Sequence, residues 1–291
     1  MAIGIAIGVI LSADAMHTRD WLAIAVVMAV WAVGLADDLW TLSPSVRLAS
    51  ELAGGAALWC GGWQTHWFEA PALDLAATCV LFAFFVNAMN MLDGADGLAA
   101  GVAAIAAIGL ILARSDTASS LVLSGCLAAV CIATLIYNLP PASIFMGDSG
   151  STLIGALAGL LILEQNSAEP GFTHALPLLA FFILPLGDAG LAIVRRLRTR
   201  HSPFRGDRRH YYDLLLRRGW PIRSVLAVSY GLTAVLVSAG LLCESRRMSA
   251  FALTGTIGIG LLALAWFLGS FTPAARTPKA QGRKLLQNIE T

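Results

Sequence analysis

Two asparagines and two aspartates recur every three residues in the segment VNAMNMLDGADGLAAG, at the end of a long apolar stretch. They are Asn87, Asn90, Asp93 and Asp96. Residues at this spacing lie on one face of a helix, so the pattern predicts a polar stripe that the glycines then interrupt. Amides and carboxylates pair with sugar hydroxyls, a base edge or a metal-bound phosphate. A buried network that packs helices together is the structural alternative.

The adjacent carboxylates Asp37 and Asp38, in GLADDLWTLSP, form a second acidic group. Two neighbouring carboxylates at membrane depth repel each other and lose hydration, so they require partial exposure or a cation. A capping or interfacial pair is the structural alternative. A prenyltransferase would place a third aspartate three residues further on, where this chain has Thr41, and that activity is therefore disfavoured.

A third group lies in YNLPPASIFMGDSGS, residues 137–151. Its two prolines are expected to stop the preceding helix and free its carbonyl groups. Asp148 follows Gly147 at the start of the next helix, where unpaired backbone N–H groups favour an anion. Mg²⁺ is commonly held by one or two carboxylates together with phosphate oxygens. The pattern predicts a metal that bridges to a phosphate, with a simple helix cap as the alternative.

The segment HSPFRGDRRHYYDLLLRRGW, residues 201–220, is rich in arginine. Guanidinium groups bind phosphates through paired hydrogen bonds, and Arg208 and Arg209 are candidates for this role. His210 is a single loop histidine among arginines and has no evident place in a core. Membrane topology and contact with anionic headgroups account for most of the arginines.

Asp188, inside an apolar stretch, is either a functional residue or a helix anchor.

The composition of the 291-residue chain excludes a soluble domain. Hydrophobic residues make up 57% and charged residues 13%, and the mean hydropathy is +0.75; soluble domains carry about 25% charged residues. We therefore predict an all-α, polytopic membrane helix bundle, with a single domain over 1–271 and a basic cytoplasmic tail over 272–291. The five cysteines are expected to be small core residues. Allowing for short spans, the chain has ten candidate membrane helices, at residues 2–11, 21–36, 46–60, 74–91, 97–113, 120–137, 151–163, 174–194, 223–243 and 250–271.

The distribution of basic residues predicts the orientation of these spans. Ten of the nineteen lysines and arginines fall in one loop, namely Arg195, Arg196, Arg198, Arg200, Arg205, Arg208, Arg209, Arg217, Arg218 and Arg223. Positive loops stay in the cytoplasm, so this loop is predicted to be cytoplasmic. Alternation across ten spans then places all three acidic groups on the same face. We predict an active site at the cytoplasmic boundary of the membrane.

The three acidic groups, in this order and on one face, resemble the motifs of the polyprenyl-phosphate N-acetylhexosamine-1-phosphate transferases. This superfamily, glycosyltransferase family 4, includes the phospho-MurNAc-pentapeptide translocases, and the resemblance runs from Leu35 to about Trp220. It implies transfer of a sugar-1-phosphate from a UDP-N-acetylhexosamine to undecaprenyl phosphate, with release of UMP. Mg²⁺, or Mn²⁺ in its place, is the implied cofactor. The implied location is the bacterial inner membrane, with lipid but no nucleic acid as a partner; homodimer formation stays open.

The resemblance also implies roles for individual residues. Asp148 and Asp93 would hold the metal, Asp37 and Asp38 would activate the lipid phosphate, and the uracil would stack on Phe145. A one-step transfer and a covalent step with Asp93 as nucleophile both stay open. The remaining residues expected to contact the substrate are Asn87, Asn90, Asp96, Asn138, Gly147, Arg208, Arg209 and His210.

The sequence that starts at His210 narrows the choice among the subfamilies. Pentapeptide translocases carry three histidines there and the GlcNAc-1-phosphate enzymes carry HxHH, whereas this chain has HYYD. This favours an enzyme that initiates O-antigen or another cell-envelope polysaccharide, with the pentapeptide translocase as the alternative. Relatives begin with a further helix and a Pro/Arg/Gly-rich loop, which this chain is expected to lack.

An ion-coupled transporter is the alternative from a different class. It would use Asp37, Asp93 and Asp188 as ion or proton sites. The predicted clustering of acidic groups on one face, without repeat symmetry about the membrane midplane, disfavours it.

Overall fold

The computed structural model describes residues 1–113, 117–168, 172–200, 202 and 208–246, and within them the chain is helical, without strands. This confirms the all-α prediction for the described part. The last predicted span and the basic tail lie outside these residues. Besides a 3-10 turn at Ala13–Ala15, the helices are α1 Ala2–Leu11, α2 Thr18–Trp40, α3 Pro44–Cys60, α4 Pro71–Leu92, α5 Leu98–Leu112, α6 Ala118–Asn138, α7 Gly147–Ala168, α8 Phe172–Ala180, α9 Ile183–Arg198, α10 Tyr211–Arg217 and α11 Ile222–Arg246.

Four of the described helices are long and apolar enough to cross a membrane. They are α2, α4, α6 and α11, while α1 and α5 are shorter apolar helices. A hydrocarbon core of about 30 Å is spanned by roughly 20 helical residues, which these four satisfy. Together they support an integral membrane helix bundle. The count of about ten spans goes beyond this observation and stays a prediction.

The predicted span 174–194 is two helices. α8 ends before Phe181 and Phe182, whose N–H groups bond to carbonyls three residues back. Pro185 lies in the first turn of α9, where its missing N–H is tolerated, but it cannot continue a helix from α8. Both phenylalanines are buried, and Phe182 packs edge-on against Phe85 at 5.2 Å between ring centroids. The turn is apolar, and hydropathy alone does not distinguish it from a helix.

α7 forms the centre of the bundle and lies against both α2 and α4. Residues 150–164 of this helix are all buried. A Cβ at Gly155 would lie 2.6 Å from the Cα of Val86, so glycine is required for the close antiparallel approach of α7 and α4. This approach places the start of α7 beside the end of α4, where the acidic residues lie.

Candidate active site

Asp38, near the end of α2, caps the start of α7. Its two carboxylate oxygens accept hydrogen bonds from the backbone N–H groups of Asp148 (2.8 Å) and Ser149 (2.9 Å). Gly147 begins the helix at φ +70°, and a Cβ there would lie 3.0 Å from Asp38 Oδ2. Glycine is therefore favoured both by the backbone and by the available space. The expectation of unpaired N–H groups is corrected at these two positions, because the anion at this helix start is Asp38 itself.

Arg47, on α3, joins two of the acidic motifs and was not singled out by the sequence analysis. Its Nη1 lies 2.5 Å from Asp37 Oδ2 and 3.5 Å from Asp148 Oδ1. The other oxygen of Asp37 accepts a 2.5 Å hydrogen bond from Leu42 N. Asp37 is thus buried and ion-paired rather than an isolated base. A signal was available in the sequence, because Pro44 restarts a helix directly after the acidic pair and turns the chain back towards it.

The side-chain amides of Asn87 and Asn90 both donate hydrogen bonds to other groups of the protein. Asn90 donates to Asp148 Oδ1 and, at 3.1 Å, to Ser151 Oγ. Asn87 donates to Glu51 Oε2 and to the backbone carbonyl one turn earlier. Glu51, a buried residue of α3, was also missed by the sequence analysis. In the described part of the chain, the two amide oxygens are left to accept hydrogen bonds from a ligand or to face a cation.

The predicted polar stripe is helical only in its first half. Asn87 and Asn90 lie on α4, but the helix ends at Leu92. Asp93 caps this end, and Asp96 lies in the turn before α5 and accepts a 3.2 Å hydrogen bond from the backbone of the loop after α6. The glycine-rich sequence therefore ends the helix as predicted, and it turns the second pair of carboxylates into a loop.

Asp93 lies among other negative charges. Burial, together with the carboxylates of Asp148, Asp38 and Asp96, raises the pKa of Asp93 to about 7. A bound cation would relieve this repulsion. Among the described residues, no three His, Cys, Asp or Glu side chains are grouped so that they could hold a metal ion by themselves. A metal here would therefore need ligands beyond the protein carboxylates, and substrate phosphates can provide them.

Asn138, the last residue of α6, and Phe145, in the loop before α7, differ in their exposure to solvent. Asn138 is buried, accepts a hydrogen bond from Gly97 N (2.9 Å) and donates to the carbonyl of Ile144 (2.9 Å). It therefore ties this loop to the start of α5. Phe145 is 74% exposed. Contact of these two residues with a substrate stays a prediction.

Asp188 and His210, which the sequence analysis considered separately, are directly paired. His210 Nδ1 lies 2.5 Å from Asp188 Oδ2, and Tyr211 N donates to the other carboxylate oxygen at 2.9 Å. The His210 ring stacks on Tyr212, whose hydroxyl donates to the Met91 carbonyl at 3.0 Å. Burial, with nearby carboxylates, raises the pKa of Tyr212 well above its usual range, so the phenol stays a neutral donor.

A cavity of about 670 Å³ opens among these residues, a size typical of small-molecule sites. Three arginines give it a cationic lining beside one carboxylate, Asp213, and two asparagines contribute amide groups. Of the predicted binding residues, it includes Asn87, Asn90, Arg208 and His210, whereas Asp96, Asn138, Phe145, Gly147 and Arg209 are not in its lining. The residues that line it are Pro44, Arg47, Asn87, Asn90, Met91, Gly94, Arg196, Arg208, His210, Tyr212 and Asp213.

The fold and the site define a class: a membrane protein that is helical throughout its described part, with an acidic cluster beside a cavity suited to an anionic ligand. The sequence profile of glycosyl transferase family 4 matches residues 21–166, about half of the chain. The chain belongs to this family. The matched region contains all three acidic motifs, whereas Asp188 and His210 lie beyond it.

Curated relatives give the same assignment. The decaprenyl-phosphate N-acetylglucosaminephosphotransferase of Mycobacterium tuberculosis is 31% identical over 270 residues, covering 81% of this chain and 67% of the relative. The enzyme of that name from Mycolicibacterium smegmatis is 33% identical over 241 residues, which cover 71% of this chain and 59% of the relative. The undecaprenyl-phosphate alpha-N-acetylglucosaminyl 1-phosphate transferase of Escherichia coli K12 is 32% identical over 247 residues, covering 78% and 66%. These matches span about two thirds of the relatives' length or less.

Proposed function

We propose that this protein transfers N-acetylhexosamine-1-phosphate from a UDP-N-acetylsugar to undecaprenyl phosphate and releases UMP. The reaction would be the first membrane step of O-antigen or other cell-envelope polysaccharide synthesis. The observation that carries the proposal is that Arg47 and Asn90, which line the cavity, both contact the carboxylate of Asp148. The carboxylates of Asp38 and Asp148 in turn lie close enough to Asp93 to raise its pKa. The names of the relatives point to the same type of reaction.

The cavity suits the diphosphate of a nucleotide sugar. Arg47, Arg196 and Arg208 line it, and guanidinium groups pair with phosphate oxygens through two parallel hydrogen bonds. The amide oxygens of Asn87 and Asn90 accept hydrogen bonds from hydroxyl or N–H groups, which a sugar or an acetamido group provides. A nucleotide sugar supplies both kinds of partner.

The location at the ends of membrane-length helices suits the lipid acceptor. A polyprenyl tail stays in the bilayer, whereas a nucleotide sugar is soluble. Only a site at the membrane boundary reaches both substrates, and Asp38 and Asp93 lie at the ends of the apolar helices α2 and α4. The excess of arginine between the last turn of α9 and the first turn of α11 supports a cytoplasmic orientation of this end.

The oxygen ligands available at the site fit Mg²⁺, or Mn²⁺ in its place. Asp148 and Asp93 would hold the ion together with substrate phosphate oxygens. The observation that supports this fit is that burial and the neighbouring carboxylates together raise the pKa of Asp93. When bound, the metal would neutralise phosphate charge and polarise the reacting phosphoryl group. Asp38 holds the start of α7, and so positions Asp148.

Asp37 has a role that its ion pair indicates. Its carboxylate holds Arg47 within 3.5 Å of Asp148, at the edge of the cavity. Arg47 would thereby be positioned to offset the negative charges of two approaching phosphates. Removal of a proton from the lipid phosphate contributes little, because that phosphate is mostly ionised near neutral pH.

The experiment measures UMP release by the detergent-solubilised full chain. The donor panel contains UDP-GlcNAc, UDP-GalNAc, UDP-FucNAc, UDP-QuiNAc and UDP-MurNAc-pentapeptide, each with and without undecaprenyl phosphate and with Mg²⁺, Mn²⁺ or EDTA. We expect release from an N-acetylhexosamine donor that requires both the lipid and the metal. Release only from UDP-MurNAc-pentapeptide would identify the alternative enzyme, and no lipid-dependent release from any donor would overturn the proposal.

A further inference from the structure

Asp188 lies on α9, apart from the three acidic motifs, yet its carboxylate is bonded to the cavity wall. One oxygen lies 2.5 Å from His210 Nδ1, and the other accepts a 2.9 Å hydrogen bond from Tyr211 N. The side chains of Asp188 and His210 are each only 8% exposed. Both oxygens of Asp188 are therefore used to hold the segment that begins α10 against α9.

The bond to Asp188 decides which nitrogen of His210 is left for the cavity. A ring nitrogen that bonds to a carboxylate carries the proton, so Nδ1 is the donor in this pair. His210 also lines the cavity, beside Arg208 and Tyr212. Nε2 is therefore the nitrogen available to a ligand, and rotation of the ring would break the bond to Asp188.

A second set of contacts connects this pair to the acidic loop. The His210 ring lies parallel to that of Tyr212, with centroids 5.6 Å apart, and the Tyr212 hydroxyl donates to the carbonyl of Met91. A Cβ at Gly94 would lie 2.0 Å from the same hydroxyl, so the glycine leaves room for it. The orientation of His210 is thus coupled to the end of α4, two residues before Asp93.

We propose that Asp188 is a positioning residue that acts through His210, holding the imidazole so that Nε2 is presented to the phosphate-bearing ligand in the cavity. This inference rests on the proposed transferase function. It assigns a specific task to a carboxylate that would otherwise serve only as an anchor between α9 and α10. A mere anchor would stabilise the fold, and its loss would not be confined to kcat.

The test is a double-variant cycle on UMP release by the full chain. Asp188→Asn keeps the size of the side chain but loses the carboxylate, and His210→Asn keeps an amide nitrogen near the Nδ1 position but removes Nε2. We expect each variant to lower kcat by about 100-fold. In Asp188→Asn the cause is a displacement of the imidazole, for which roughly 1 Å is enough, and in His210→Asn it is the loss of Nε2. KM for the UDP-sugar should change by less than about threefold. The double variant should be no slower than His210→Asn, because Asp188 then has nothing to position.

Glu164→Gln is the matched control. Glu164 is a buried carboxyl near the opposite end of α7, where it accepts 2.8 Å hydrogen bonds from Thr117 and Ser119. The same replacement of an oxygen by an amide should leave kcat and KM within about twofold of the wild type. Wild-type kcat in Asp188→Asn, or losses that multiply in the double variant, would overturn the proposal.

A readout that needs no activity separates this proposal from the function on which it rests. Trypsin cleavage after the exposed Arg208 reports whether the segment is held in place. We expect Asp188→Ala to accelerate cleavage by about tenfold and His210→Asn to leave it near the wild-type rate. If the wild-type chain releases no UMP from any donor, the transferase function fails. An unchanged cleavage rate in Asp188→Ala would overturn the assignment of Asp188 whether or not UMP is released, because a carboxylate that does not hold this segment cannot position His210.

Discussion

The carboxylate of Asp38 caps the first turn of the helix that carries Asp148, 110 residues further along the chain. The cap orients Asp148 towards Asn90 and Arg47, which come from two other helices. Four segments therefore meet at a single helix start. The stability of this junction and the chemistry of the site should respond to the same substitutions.

Gly147→Ala should lower both the stability of the protein and its UMP release. Its φ of +70° costs a non-glycine residue about 1–2 kcal/mol, and the new Cβ would press on the Asp38 carboxylate at 3.0 Å. We expect a lower melting temperature in detergent and at least a tenfold loss of UMP release, on the order of what misplaced active-site groups cause. Gly125→Ala, in α6 with open space at the Cβ position, is the control and should be neutral or slightly stabilising. Equal melting temperatures for the two variants would contradict the assignment.

Asp93→Asn should abolish UMP release yet raise the melting temperature in metal-free buffer. Because the pKa of Asp93 is raised to about 7, the fold favours the protonated form and loses stability as the pH rises towards and through that value. Asparagine mimics the neutral form at every pH. The advantage of the variant should therefore be smaller at pH 5 than at pH 8, where it should reach about 2 °C or more.

The control for this effect is Asp14→Asn, an exposed carboxylate outside the site. It should show no pH-dependent gain. A variant at position 93 that melts below the wild type at pH 8, or a gain of equal size at both pH values, would show that charge repulsion does not act there.

Arg47→Gln should cost stability as well as activity. It leaves the buried Asp37 carboxylate without its cation, and breaking such a pair typically costs about 3–5 kcal/mol when buried and less when solvent reaches it, as it does at Arg47. The double variant Asp37→Asn/Arg47→Gln should regain most of the melting temperature but not UMP release. If the double variant recovers activity, Arg47 serves the fold alone.

Asp148→Asn should abolish UMP release while the protein still inserts and melts cooperatively. Loss of the carboxylate removes the charge expected to hold the metal, whereas Asp38 can still cap the backbone of residues 148 and 149. The wild type should be stabilised by Mg²⁺ together with UDP, and the variant should not. Glu164→Gln should retain the Mg²⁺-dependent shift. Normal turnover in Asp148→Asn would remove this residue from the metal site.

The helices were predictable where apolar runs end at strong breakers. The stretches 74–91 and 120–137 correspond to α4, Pro71–Leu92, and α6, Ala118–Asn138. The stretch 174–194 was wrong as one helix, because the turn at Phe181 and Phe182 is as apolar as the helices beside it. Hydropathy reports the polarity of a segment's surroundings. A buried turn and a buried helix have the same apolar surroundings, so hydropathy does not distinguish them.

The acidic residues of the site were predictable because they recur in short motifs, but their partners were not. Arg47 and Glu51 are single charged residues without a repeated pattern. Glu51 meets Asn87 across 36 positions of sequence, and Asp188 meets His210 across 22. Such pairs depend on the rotation of one helix against another, which neither hydropathy nor spacing reports.

From the amino-acid sequence alone we predicted that the chain is helical, that its helices suit a membrane, and that three acidic motifs gather at one end of them. This follows from composition and from counting alternate crossings, which require no knowledge of packing. The tertiary structure alone decided which groups share a hydrogen bond: Asp38 with the start of α7, Arg47 with Asp37, and Asp188 with His210. Contacts of about 3 Å are set by how closely helices approach and rotate, and close approaches such as that of Gly155 to Val86 fix this geometry.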